Sequence, residues 1–471
     1  MKNLSRVLLC AVIALSLSRL SADETKSLFV EGYTGAVSYK PGEEVGFHVS
    51  TSAARYSVEI LRLGVKDEVV HREKSVAGVE HPIPENASSH GCGWPVSWKW
   101  KIPGKLRSGY YHVKLKVSDR GGKYVHRNTR TAEGSCYFVV RAANPGQKTK
   151  ILLQLAANTY NAYNNWGGSS LYGYHGRAKL QGNRVSFDRP PRSQYGNWEL
   201  PFVRWAEQNG YQLDYAVNSD LEFRPELLKH YRLVLSLGHD EYWSAPMRDN
   251  LEVFIKSGGN VAFFSGNSVC WQIRSEDQGR SQVCWKQNYH MDPIFQTDDH
   301  STLSTLWSHH LVKRPENELT GVCFLYGGYH RSHGQLMDGS GAFTVHRPDH
   351  WLFAGTDLKR GGEFGGKSSI VGYECDGCQL EWRDGLPYPT GRDGTPKSFT
   401  VLGTAPAKWH PDDSEWYERW EKGRVGNAVL GIYQNGGTVV TSGTTDWAHG
   451  LRGKDPTVDR ITRNILDRLS K

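Results

Sequence analysis

The sequence predicts two kinds of structure in one chain: an immunoglobulin-like β-sandwich followed by an α/β three-layer domain. Three observations predict it. Short alternating strands separated by turn residues fill the first part, apolar strands alternate with amphipathic helices in the second, and Asn144-Pro145-Gly146 breaks the pattern between them. A chain of 471 residues also exceeds one ordinary core.

Residues 1–22 carry basic Lys2 and Arg6, an apolar run from Val7 to Leu17, and small Ser21 and Ala22. This is the pattern of a secretory signal peptide, and the run is short for a bilayer span. The expected protein is therefore exported, secreted or periplasmic, without a membrane span. Removing Lys2, Arg6 and Arg19 lowers the formal charge from +8 to +5. The remaining basic residues are scattered, which gives no nucleic-acid footprint.

Residues 23–143 read as the sandwich, with strands at Val45 to Val49, Tyr56 to Leu61, Tyr110 to Val117 and Cys136 to Val140. Residues 144–471 read as the α/β domain. Its strands are expected at Ile151 to Leu155, Gln212 to Val217, Leu233 to Leu237 and Asn260 to Ser265. Helices are expected at Trp198 to Gln208 and Ala245 to Lys256, the latter capped by Ser244. Strand, helix and strand at these lengths specify right-handed crossovers and a mostly parallel sheet. Later strands are expected at Ala342 to Val345, Ser369 to Glu374, Ala428 to Tyr433 and Thr438 to Ser442, before a closing helix from Pro456 to Leu469. The polar, His-rich stretch near 274–341 reads as an insertion over the sheet.

Eight cysteines include Cys10 in the leader, so seven remain. Export makes disulfides plausible, with Cys270–Cys284 and Cys92–Cys136 as guesses at pairing. Cys375-x-x-Cys378 is half a zinc site with no second pair of matching spacing.

In a parallel sheet, ligands bind beyond the carboxyl ends of the strands. Three loops at strand ends carry unusual side chains: Asn158 to Gly168, Gly238 to Trp243, and Gly372 to Gly377. They could bring Tyr163, Tyr242 and Glu374 to one edge. Two phenols and a carboxylate are hard oxygen donors, suited to Fe(III) better than to zinc. The plainer reading of any one of these tyrosines is a hydrogen-bonded phenol lining a cleft. His239, Asp240 and Glu241 lie beside Tyr242, where they could move protons or orient ligands. Ser265 to Cys270 occupies a turn where a nucleophile could sit, but neither Ser268 nor Cys270 lies in a nucleophile-elbow motif. His330-x-x-His333 lacks the helix pattern of a zinc protease.

Six segments together resemble the large (β) subunit family of N,N-dimethylformamidase. They are Ala162 to Gly168, Val185 to Pro190, Trp198 to Pro201, Gly238 to Trp243, Val371 to Glu374 and Gly443 to Trp447. The resemblance implies a β-sandwich followed by a glutamine-amidotransferase-like α/β domain, and a mononuclear iron bound by two tyrosinates and a glutamate. Carried over by residue, the ligands are Tyr163, Tyr242 and Glu374. Tyr160 competes with Tyr163, which is favoured because it lies inside the matching Tyr-Asn-Asn-Trp-Gly-Gly run.

The leader and the resemblance together thus imply an exported hydrolase of a small amide, using mononuclear iron as Fe(III), although export is not a property the family itself implies. One of His239, Asp240 or Glu241 would move protons to the leaving amine. The expected partner is a small subunit or a second copy of the chain. The alternative is a secreted carbohydrate- or surface-binding protein, with its many aromatic residues facing ligand. Sixteen tryptophans and 23 tyrosines suit either reading.

Overall fold

The computed structural model of the chain describes residues 27–120, 129–332, 335–337, 339–409 and 425–471. The expected leader at 1–22 and His333 lie outside the described residues. The chain is β-rich, with its strands arranged in several sheets.

Strands Val30–Thr34, Glu44–Thr51 and Trp98–Lys101 form one antiparallel sheet. Ser38–Tyr39, Thr129–Val140, Gly109–Arg120, Arg55–Leu63 and Glu68–Ala77 form a second. Alternate residues of both sheets meet in one core, with Val45, Phe47 and Val49 from the first and Val58, Ile60, Val113 and Leu115 from the second. This is how a period of two builds a sandwich.

In the large sheet nine strands lie side by side. Their order is Asp214–Val217, Ile151–Leu155, Leu233–His239, Asn260–Gly266, Gly437–Thr441, Val425–Asn435, Thr400–Lys408, Cys323–Tyr329 and Glu374–Gly377. The first five are parallel to one another, and the remainder pair antiparallel. Phe343–Val345 and Glu363–Phe364 branch from Thr400–Lys408.

The parallel strands are buried on both faces. Leu153, Leu235 and Phe264 pack with Phe202, Val203, Ile461 and Ile465 of the helices Glu199–Gln208 and Pro456–Leu469. Leu152, Val234 and Val261 point the other way, onto Met247, Leu251 and Phe254 of Ala245–Lys256. Ser244 caps that helix by accepting from the Met247 amide, as expected.

Several expectations need correction. Gly238 does not end its strand; at φ 69° it continues to His239, and a Cβ there would collide with Trp198. Ser369 to Tyr373 is not strand, because Ser369 and Tyr373 hold φ of 48° and 40°, and pairing begins at Glu374. The stretch 274–341 contributes the Cys323–Tyr329 strand to the sheet. Its glycines look like a loop, but at Gly327 the Cys375 carbonyl occupies the place of a Cβ. Thr400–Lys408 went unanticipated. All seven described cysteines are free and buried; Cys92 and Cys136 even belong to different apolar clusters.

Candidate active site

At the carboxyl ends of the parallel strands, His239 is the last residue of its strand, and its side chain is buried. Its Nε2 lies 2.7 Å from Glu374 Oε2 and 3.2 Å from Glu241 Oε2, so one imidazole bridges two carboxylates. Glu374 is held at this edge by the segment just past the Gly437–Thr441 strand, where the Thr445 amide donates to the Glu374 carbonyl at 3.1 Å and Cys375 bridges to Thr444. Asn267, in the turn after Asn260–Gly266, donates to Glu374 Oε2 at 3.2 Å. Trp198, Tyr163 and Tyr373 surround the imidazole, with ring centroids 5.6, 5.5 and 5.7 Å away.

Glu241 is held more elaborately. The Tyr172 hydroxyl contacts both of its oxygens, at 2.9 and 3.1 Å, and Trp271 Nε1 donates to Oε1 at 2.7 Å. Tyr242 donates its hydroxyl to that of Tyr172 at 2.7 Å. Tyr163 packs its ring 4.2 Å from that of Tyr172, and its hydroxyl interacts with those of Tyr172 and Tyr373. Lys286 Nζ sits 3.4 Å above the Tyr172 ring centroid and 4.6 Å from that of Trp271.

Charge is crowded here. Burial, with Glu241 next, pushes the phenols of Tyr163, Tyr172 and Tyr242 well above the ordinary range. Burial works against a charged His239, yet Glu374 and Glu241 outweigh it and push the imidazole up to about 10. Burial would raise Glu241, but His239 and Lys286 hold it below the usual value. Burial, opposed by Glu241, brings Lys286 down to about 8.

Of the residues expected from sequence, the structure brings together Tyr163, Tyr242, Glu374, His239 and Glu241. Asp240 does not join them. Successive side chains leave a strand in opposite directions, and Asp240 instead accepts from Ser236 Oγ at 2.8 Å and Asn218 Nδ2 at 3.2 Å. Tyr160 also turns away, its hydroxyl donating to Glu199 in the core. Cys270 is a poor nucleophile because burial pushes its thiol well above the ordinary range.

Sequence reasoning missed Tyr172, Asn267, Trp271 and Lys286. Asn267 was within reach, since it lies in the Ser265 to Cys270 turn weighed for a nucleophile and immediately precedes Ser268.

Among the described residues, no group of three or more His, Cys, Asp and Glu side chains is set to hold a metal ion. Any such ion depends on the phenols, and here the donor chemistry fits. Phenols and carboxylates crowded together in a buried place form a donor set where a highly charged cation is favoured.

Fold and site together define a β-rich protein with a buried, acid- and phenol-lined centre at the carboxyl edge of a partly parallel sheet. The chain belongs to the family described as N,N-dimethylformamidase beta subunit-like, C-terminal, whose profile matches residues 57–460. It is 26% identical over 215 residues to the N,N-dimethylformamidase beta subunit of Alcaligenes sp, covering 39% of this chain and 28% of that one. It is 24% identical over 217 residues to the beta subunit from Paracoccus aminophilus, with the same 39% and 28% coverage. The similarity therefore spans under a third of the length of these relatives. A glycoside hydrolase family 61 protein from Hypocrea jecorina matches 22% of this chain and 51% of its own at 12% identity and a TM-score of 0.15, too slight to bear on the fold.

Proposed function

We propose that the chain is an iron-dependent hydrolase of amide C–N bonds outside peptides, exported from the cell and working with a partner subunit. Family membership supports the hydrolase reading, and the relatives' designation as beta subunits supports the partner. The partly parallel sheet with helices on both faces supports the glutamine-amidotransferase-like architecture. No helix among the described residues is long and apolar enough to cross a membrane.

The observation that carries the proposal is His239 Nε2 set between Glu374 and Glu241, with Tyr172 on both Glu241 oxygens. Tyr163 stays in the proposed ligand set. In place of Tyr242 and Glu374, which the sequence reading favoured, we propose Tyr172 and Glu241. These two are in direct oxygen contact, whereas Glu374 faces His239 and Tyr242 stands behind Tyr172. When bound, the iron would supply Lewis acidity toward an amide carbonyl and a water.

The remaining roles belong to the chain. His239 would have its proton affinity brought down toward neutral pH where the pull of the two carboxylates is offset by a bound cation. His239 then takes the proton of the attacking water and returns it to the leaving nitrogen. Glu374 holds the imidazole in place, Asn267 holds Glu374, and Trp198 with Tyr373 walls the pocket against bulk water.

The test is metal analysis and visible spectroscopy on the purified chain, with hydrolysis of N,N-dimethylformamide followed by amine release. About one iron per chain with a phenolate band is expected, lost in Tyr172→Phe and Glu241→Gln. Glu374→Gln should keep the iron and lose at least tenfold in turnover. Iron lost only in Tyr242→Phe and Glu374→Gln would restore the set expected from sequence. A colourless, iron-free chain after reconstitution would refute both.

A further inference from the structure

Arg189 is wholly buried and makes no ion pair among the described residues. The neighbouring Cys92 thiol offers no counter-charge, because burial pushes it up to about 12. Burial brings the guanidinium down to about 9, which leaves it a cation at neutral pH. A cation buried in this way is costly unless its N–H groups are met.

They are met almost entirely by one loop. Nη1 donates to the Trp166 carbonyl at 2.6 Å and the Ser169 carbonyl at 3.1 Å, and Nη2 to the Asn161 carbonyl at 3.4 Å and Asn161 Oδ1 at 3.3 Å. Nε donates to the Ser186 carbonyl at 2.9 Å, so each N–H of the guanidinium has an acceptor. Arg189 reaches the loop from outside it, following the strand Arg184–Ser186, which pairs with Ser281–Val283. The next residue adds a tie, since the Pro190 carbonyl accepts from Asn164 Nδ2 at 3.0 Å.

That loop carries both phenols of the proposed ligand set. Tyr163 follows the helix Ala157–Ala162, and Tyr172 lies three residues beyond Ser169. The Leu171 amide donates to the Ala162 carbonyl at 3.0 Å, which closes the loop, and the two tyrosine rings lie 4.2 Å apart. Between them the backbone is irregular, with Gly167 and Gly168 at φ of 83° and 111°. Irregular backbone buries carbonyls that no ladder satisfies, and one planar fork satisfies three of them at once.

We propose that Arg189 is a positioning residue for the buried centre: its guanidinium holds the loop from Asn161 to Tyr172 so that Tyr163 and Tyr172 meet a cation as a pair. On the reading of these phenols as iron ligands, Arg189 adds no ligand of its own and sets the spacing of two. A lysine there keeps the charge and loses the fork.

Two measurements on the full chain test this: iron affinity by chelator competition, and hydrogen exchange of the metal-free protein. Arg189→Lys should bind iron at least tenfold more weakly and exchange faster within residues 161–172, with the strands of the large sheet still protected. Asn161→Ala, which removes one acceptor and leaves the guanidinium, is the milder variant and should move both readouts the same way by less. Arg248→Lys is the control for lost stability alone, because Arg248 is also wholly buried and donates to the Arg314 and Pro315 carbonyls, outside this loop. It should keep the parent's iron affinity. Parent affinity in both loop variants, or an equal loss in Arg248→Lys, would overturn the proposal. An iron-free parent would refute the iron reading instead, and exchange, which needs no metal, would then decide: unchanged exchange of residues 161–172 in Arg189→Lys overturns the positioning role, and faster exchange there supports it.

Discussion

Gly238 precedes His239 at φ 69°, and a Cβ there would run into Trp198, whose ring flanks the imidazole. Gly238→Ala therefore combines left-handed backbone strain with a displaced wall of the pocket. It should lower unfolding free energy by about 1–3 kcal/mol. Denaturant titration checks this, and amide hydrolysis should fall along with it. At this scale the sequence was informative where chemistry is local. Four ionisable residues in a row after an apolar strand pointed to the sheet edge where His239, Glu241 and Glu374 gather. It was silent on direction, because nothing in His239-Asp240-Glu241 says that only the outer two face the cluster. Tyr172 was illegible for another reason: it meets Glu241 across 69 positions of chain, through a loop with no periodicity to place it.

Among the elements, the parallel strands were the most legible, since strands buried on both faces read as continuous apolar runs. The antiparallel half was harder. Cys323–Tyr329 contains two glycines, and Glu374–Gly377 is short, so neither carries a strong pattern. The Phe343–Val345 strand leads into His346, whose Nε2 sits 2.8 Å from Thr404 Oγ1 on the neighbouring strand. Burial, with Arg347 and Arg360 nearby, pushes this imidazole down to about 4. The unfolded chain binds a proton near pH 6.5 that the folded chain refuses. As pH falls below about 6.5, the unfolded state takes up more protons, so the His346 contribution to stability is lost until pH reaches about 4. Thermal melting between pH 7 and pH 4 should decline less steeply in His346→Gln. An unchanged slope would mean that other groups govern the acid limb.

Across the whole molecule, the seam between the sandwich and the rest of the chain was not legible, because its partners come from distant positions. Arg62 of the sandwich reaches Glu207 on the Glu199–Gln208 helix at 2.5 Å, and Glu207 also accepts from the Val65 amide at 2.8 Å. Trp166, three residues beyond Tyr163, donates to Glu31 of the sandwich at 3.1 Å. The loop carrying a proposed iron ligand is thus anchored partly on the sandwich. The Arg62 side chain is only 3% exposed, so Glu207→Gln leaves its charge buried without a counter-ion. Removing one partner of a buried pair costs about 3–5 kcal/mol, whereas replacing both with apolar groups is far milder. Glu207→Gln should therefore lower the melting temperature sharply, and an Arg62→Met, Glu207→Leu double variant should recover much of the loss. If the sandwich steadies Tyr163 through this seam, Glu207→Gln will also weaken iron retention under dialysis at a temperature where the chain remains folded. Iron held as firmly as in the parent would show that the large-sheet part positions Tyr163 alone.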